Sequence, residues 1–368
     1  MARFQPFLPA FSSLCLALVL GWSQDACAQQ APPSESNPSE SQRAFREITP
    51  DARRAINDGI AWLAKNQLTQ SGRWVSRPPR YQMSITALAG LALMAHGVTP
   101  DRGPYARVLR RALNWVLENQ HREGEYVGLL CDQRDVMSDK ARPMHGHGFA
   151  LLLLGQAYGT SHDEALRTRI GKAIKAGIRL TEKTTSRDGG WFYWPRTDRG
   201  DEGSVTITQI QALRSARNCG FGVDKTTLAR AVLYIRESQG DDGGVHYQRP
   251  RRGPSSPALT AAGIVVFQDS GTYYDKAIEK AYGYLRRTMR VRAPDEERWF
   301  YYTHLYVSQA MFARGGPAWR SYFPRIRQQL LSTHTDKHWD SNLGPTYGTS
   351  VALLILQLPD RLLPIYQR

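Results

Sequence analysis

Four short stretches set aromatic rings beside groups that hold or exchange protons. They are GGWFYWPRTDRGDEGS (189–204), GGVHYQRPRRGPSS (243–256), ERWFYYTH (297–304) and DKHWDSNLGPTYG (336–348). In the first, Asp201 and Glu202, with Asp198 nearby, have the composition of an acid pair. In the second, His246 is a candidate base, and Arg249, Arg251 and Arg252 a candidate anion clamp. Trp191, Tyr193, Trp194, Tyr247, Trp299, Tyr301, Tyr302 and Tyr347 each offer a flat apolar face with a polar edge. Arg196, Arg249 and His304 stand close enough in sequence to orient a charged or hydroxylated ligand against those faces. The same residue types also serve a packed layer of loops, and composition alone does not separate the two.

Two other constellations bear on metal or acid chemistry. MHGHG places His145 and His147 two apart, a spacing that a helix start can aim at one metal, but no third ligand is recognisable and zinc needs three or four. GDDGG (240–244) holds Asp241 and Asp242 between glycines, where a turn wants these residues. No cofactor is expected. Cys131 and Cys219 follow the N-terminal segment, and they fit either a disulfide or two free, buried thiols.

These stretches fall at regular places in the chain. GIAWLAKNQLTQSGRW (59–74) reads as a helix that stops at a glycine and a tryptophan, and RRALNWVLENQHREGEY (110–126) and ARAVLYIRESQGDDGGV (229–245) repeat the pattern, with KAGIRLTEKTTSRDGGW (175–191) a looser copy. Each copy precedes an apolar stretch such as SITALAGLALMAHG or GHGFALLLLGQAYG, and two further pairs follow. The period is about 50 to 60 residues, in roughly six helical hairpins. The first helix of each is amphipathic and basic; the second is apolar all round and must be covered on every side. Two layers follow: an all-α ring with covered helices inside, the inner segments falling at 86–94, 149–154, 206–213, 259–267, 304–311 and 350–356. An open solenoid is the alternative, but it needs polar caps at its ends, and the last helix is as apolar as the middle ones. In the stop itself, the Gln is expected to bond free backbone groups at the helix end, the Gly to permit the turn and the Trp to pack under the loop.

The repeated aromatic, apolar residue, Gln, Gly and Trp resemble the QW repeat of the terpene cyclase and protein prenyltransferase superfamily, over about residues 50 to 368. The C-terminal part, from ERWFYYTHLYVSQAMFARGG onward, is similar to exported prenyltransferase and squalene-oxidase-repeat proteins of bacteria. The resemblance implies an α/α toroid. It does not carry the chemistry across. No D-x-D-D run is present to protonate an alkene. Where the family's zinc-binding His is expected stands Tyr302, with His304 two residues on, and no D-x-C opens the preceding inner helix. LLCDQ lacks the spacing of a thioester site.

At the N-terminus, Arg3, an apolar run and Ala26-Cys27-Ala28 have the form of a cleaved secretory signal over residues 1–28, which predicts an exported, periplasmic or secreted protein. A retained anchor and a lipoprotein at Cys27 are the alternatives. QQAPPSESNPSESQ makes residues 29–48 a disordered tether, and the folded domain spans 49–368, its first helix opened by Thr49, Pro50 and Asp51. The formal net charge of +15 attracts anionic partners such as acidic glycan or an anionic membrane surface, and no nucleic-acid-binding motif appears. Three functions fit: a toroid binding an apolar or isoprenoid-like ligand at an aromatic mouth, an enzyme acting on acidic polysaccharide, and a scaffold that docks proteins on its rim.

Overall fold

A computed structural model describes residues 47–366, apart from 76, 78–80, 133–141, 199, 250, 251 and 270–274. The expected signal and nearly all of the tether lie outside these residues. Glu47 already belongs to the fold, since its carboxylate accepts from the Trp319 indole (3.0 Å) and its carbonyl from Arg327 (2.8 Å).

Among the described residues there are twelve α-helices in two alternating sets. The outer set is α1 (Pro50–Lys65), α3 (Ala106–Glu118), α5 (Glu164–Lys183), α7 (Lys225–Glu237), α9 (Lys276–Thr288) and α11 (Gly316–Ser332). The inner set is α2 (Gln82–Ala95), α4 (Pro143–Thr160), α6 (Gly203–Asn218), α8 (Pro257–Asp269), α10 (Phe300–Arg314) and α12 (Pro345–Leu356). Burial separates the two: α2 buries 13 of its 14 residues, α7 only 4 of its 13. The six inner segments expected from sequence all fall within the inner helices. Each inner helix packs on the next, and α12 returns to pack on α2, so the hairpins close into a ring and the open solenoid is excluded. One short antiparallel hairpin, β1 (Val245–Gln248) with β2 (Arg252–Ser256), leads into α8.

Local chemistry explains the alternation. Thr49, Asp163, Asp224 and Asp275 cap the solvent-facing starts of α1, α5, α7 and α9 with side-chain oxygens. At the other end of the outer helices the repeated stop, where it occurs, joins up to three partners. The Trp74, Trp191 and Trp339 indoles donate to Leu63, Thr181 and Leu330 carbonyls of their own outer helices at 2.7–2.8 Å. The glutamines reach further than expected. Gln67, Gln120 and Gln239 each bridge a carbonyl of their own turn to a carbonyl of the next outer helix, Val108, Ala173 and Ala277, at 2.9 Å. They therefore stitch neighbouring repeats rather than finish their own helix.

The glycine is demanded twice over. Gly72, Gly128, Gly189 and Gly243 all have positive φ, and a Cβ on them would lie 2.2–2.6 Å from a carbonyl oxygen of the next outer helix. After the turn, the backbone N–H of Trp74, Trp191, Val245 and Trp339 donates to Thr86, Thr206, Thr260 and Thr349, one turn into each inner helix. Asp242 behaves as a turn former, its carboxylate accepting from the Gly244 N–H at 2.9 Å. Cys131 and Cys219 are free thiols, so the disulfide alternative falls away.

Candidate functional site

All six connections into the inner helices lie at one end of the ring, where the inner helices begin, and α6 alone is capped there by a carboxylate among the caps described, α8 being capped by the Ser256 hydroxyl (3.2 Å). The starts of α2, α4, α10 and α12 carry no side-chain cap. Glu202 caps α6: its carboxylate accepts from the N–H of Ser204 (3.0 Å) and Val205 (2.7 Å) and from the Ser204 hydroxyl (2.6 Å). A helix N-terminus and three donors favour the anion. Glu202 is wholly buried, however, and desolvation outweighs them, lifting its pKa from 4.5 to about 7.

His145, in the first turn of α4, meets the same serine. Its Nε2 lies 3.2 Å from Ser204 Oγ and 3.6 Å from Glu202 Oε1. Burial, aided by the positive Arg142, pushes its pKa down to about 3. The imidazole is thus neutral at physiological pH, while Glu202 changes charge within that range. Tyr302 enters from α10, its phenol beside Ser204 and near Glu202 and Tyr347; burial drives its pKa well above the usual phenol value. Tyr193 and Tyr247 meet through their hydroxyls, the Tyr193 ring lies 5.8 Å from that of His145, and the Arg142 guanidinium sits 4.2 Å over the Tyr193 ring. Tyr301 donates to the Asp340 carbonyl (2.8 Å) and packs edge-on against Tyr347. The resulting mouth is rich in hydroxyl, imidazole and carboxyl groups. Below it, Gln211 of α6 and Gln309 of α10, helices with α8 between them in the ring, hydrogen-bond across the interior at 3.0 Å.

Other residues singled out in the sequence sit elsewhere. Trp191 is 1% exposed and belongs to the repeat turn, so it presents no face at the mouth. Asp201 is buried and turned to the Ser186 hydroxyl (2.6 Å); burial raises its pKa as well, but it does not pair with Glu202. His246 lies on β1 with Nδ1 against the Gly253 carbonyl of its own hairpin (2.8 Å). Arg249 pairs with Glu237 (2.7 Å), and Arg196 with Asp198 (3.3 Å). Trp194 is half-buried in the α5–α6 connection, and Trp299 is 49% exposed under Arg298. Arg251 is outside the described residues.

The two remaining histidines have structural places. His147 stands where four of the other repeats carry threonine: its Nδ1 accepts from the Leu130 N–H (3.1 Å), so its Nε2 carries the proton and donates to Thr181 Oγ1 (2.9 Å). Both nitrogens being engaged, His147 and His145 do not converge on a metal. Among the described residues, no group of three or more His, Cys, Asp and Glu converges either. His304 occupies the same repeat position in α10, fully buried with Nδ1 at 2.8 Å from the Tyr322 hydroxyl.

Ser204 and Arg142 are mouth residues that the sequence did not single out. Glu202 appeared there only as half of an acid pair. Aligning the six inner-helix starts is the available signal, since an acid at the cap position occurs in α6 alone among the caps described.

No protein-family profile matches the sequence, and no curated protein matches it in sequence. Solved structures of similar fold include the GH76A α-1,6-mannanase from a Salegentibacter species, at 9% identity and a TM-score of 0.61 over 84% of this chain and 99% of that one. They also include a GH76 α-mannanase from Bacteroides thetaiotaomicron, at 10% identity and a TM-score of 0.59 over 84% and 96%. The type II terpene cyclase MstE from Scytonema superposes with a TM-score of 0.54 and 16% identity, over 85% and 99%. The chain shares the α/α-toroid fold with both kinds of enzyme; identities this low speak to the fold alone.

Proposed function

We propose that the mouth binds a hydroxyl-rich oligosaccharide, with Ser204, His145, Tyr302 and Tyr347 as its polar contacts and Glu202 as the buried proton-holding group behind them. The observation that carries this is a polar mouth with a hydrogen bond crossing the ring beneath it. A long isoprenoid needs a deep apolar cavity, whereas the Gln211–Gln309 hydrogen bond crosses the ring below the mouth. A site edged with tyrosines instead suits sugar rings, which offer an apolar face to stack and hydroxyls to bond. Glycan-acting enzymes among the proteins of similar fold support the choice. The setting proposed with it is an exported domain, residues 49–368, released from a signal over 1–28.

Charge placement bears on the type of glycan. Among the described residues the six connections leading into the inner helices carry 12 Lys and Arg against 14 Asp and Glu, which gives no cationic excess and suits an uncharged sugar. The test is calorimetric titration of the protein with α-1,6-linked mannooligosaccharides, oligogalacturonides and isoprenoid diphosphates, with product formation followed in parallel. Saccharide binding that weakens in Tyr302→Phe and in Ser204→Ala, both still folded, is expected. Binding of the isoprenoid diphosphate alone, or saccharide binding indifferent to both substitutions, overturns the proposal.

A further inference from the structure

The basic charge is concentrated on the outer wall. The six outer helices carry 22 Lys and Arg against 7 Asp and Glu, whereas the inner helices carry 3 against 1. On α5 it forms a line: Lys172, Lys175, Arg179 and Lys183 are all exposed. Spaced by three and four residues they share one helix face, and at 1.5 Å per residue the line runs about 16 Å toward the mouth end of the ring. Among the described residues none of the four has an ion-pair partner, although Arg53, Arg110 and Arg236 on other outer helices all do.

Beside this line the wall is indented. A cleft of about 360 Å³ opens between α5 and the loop after α6, with Lys175 and Arg179 on one side and Gly220 to Gly222 on the other. Tyr158 and Phe221, edge-to-face at 4.9 Å, form its aromatic part, and Arg167 lies 5.0 Å over the Tyr158 ring. The one carboxylate in the cleft, Glu182, already accepts from the Asp224 N–H at 2.8 Å. Two unpaired cations beside an aromatic wall make a receptor for an anionic group attached to a ring.

We propose that this cleft is a second carbohydrate site, separate from the mouth, in which Lys175 and Arg179 hold a carboxylate or sulfate of an acidic polysaccharide while Lys172 and Lys183 meet neighbouring charges of the same chain. A convex wall touches a flat membrane only along a line, whereas a flexible polyanion can follow the helix. The site does not depend on the mouth, so either can fail alone.

The test uses the full chain, polygalacturonate and a sulfated glycan as probes, and the double variant Lys175→Glu with Arg179→Glu. Because both side chains are exposed, the fold is expected to persist, as circular dichroism will show. Affinity for the polyanions should fall about tenfold or more, and steeply with salt in the wild type, with titration of neutral mannooligosaccharide at the mouth unchanged. A control variant reverses Arg320 and Arg325, exposed on α11. An equal loss in the control would show diffuse attraction rather than a site. Unchanged affinity in the α5 variant, or sensitivity of anionic phospholipid vesicles but not of polygalacturonate, also overturns the proposal.

Discussion

Glu202→Gln isolates the electrostatics of the mouth. In the folded protein burial lifts the Glu202 pKa from 4.5 to about 7, so the native state holds this proton more tightly than the unfolded chain does. The resulting stabilisation is fully present below the unfolded value and is lost as pH rises through the folded one. At about 1.4 kcal/mol per pKa unit, wild-type protein should lose about 3 kcal/mol between those limits. Glutamine mimics the protonated acid, keeps an oxygen for the Val205 N–H, and does not titrate. Histidines lowered chiefly by burial complicate the absolute curve, His121 and His334 among them. His145 and His304 are held down at about 3 and His147 at about 4, chiefly by burial, so each takes stability away as pH falls below its ordinary value of 6.5. Wild type should therefore be most stable a little above neutrality. The histidines are common to both proteins and cancel in the difference. Guanidinium unfolding of each across about pH 5 to about pH 8 should show the balance moving toward Gln by about 2.5 kcal/mol. A difference that stays flat would mean that Glu202 titrates as in the unfolded chain, and that the mouth is wetter than its burial implies.

Gln120→Ala should cost about 1–3 kcal/mol, because the Gly128 and Ala173 carbonyls both lose their shared donor in a buried place; denaturant midpoints measure it. Trp339→Ala, which empties a fully buried site under the last inner helix, should cost about 3–5 kcal/mol by the same assay. His147→Leu should cost about 1–3 kcal/mol, since it leaves the buried Leu130 N–H without its acceptor, and zinc or chelator should shift the melting temperature of neither protein. Replacing Asp241 and Asp242 by Asn should leave saccharide affinity at the mouth within error.

The ring could be read from the sequence because its determinants are local and repeated. Gly72, Trp74 and Gln67 recur with fixed spacing, and the inner helices are apolar on every face. What escaped was what the repeats do to one another. That Gln67 reaches the Val108 carbonyl, or that Gly189 is pressed against Arg230, depends on two helices meeting, and no window of sequence contains both. The mouth was half legible: Tyr193, Tyr247, Tyr301, Tyr302 and Tyr347 gather as the common junction predicts. Trp191 misled, because a tryptophan that fills a turn and one that stacks on a ligand have the same neighbours in sequence. Glu202 was underrated for the opposite reason. Its singularity lies in complete burial at a helix start, and exposure cannot be read from the letters DEG.

Closure of α12 onto α2 has a consequence for how the molecule comes apart. A linear array of hairpins has two weak ends that open first; a ring has none, and losing any one hairpin exposes the flanks of two others. Amide exchange deep in α2 and in α12 should therefore be as slow as in α6, and opening should approach all-or-none. The same topology makes the native N- and C-termini an accident of where the circle was cut. A chain recut in the connection between α6 and α7, with its old ends joined, should fold to the same ring.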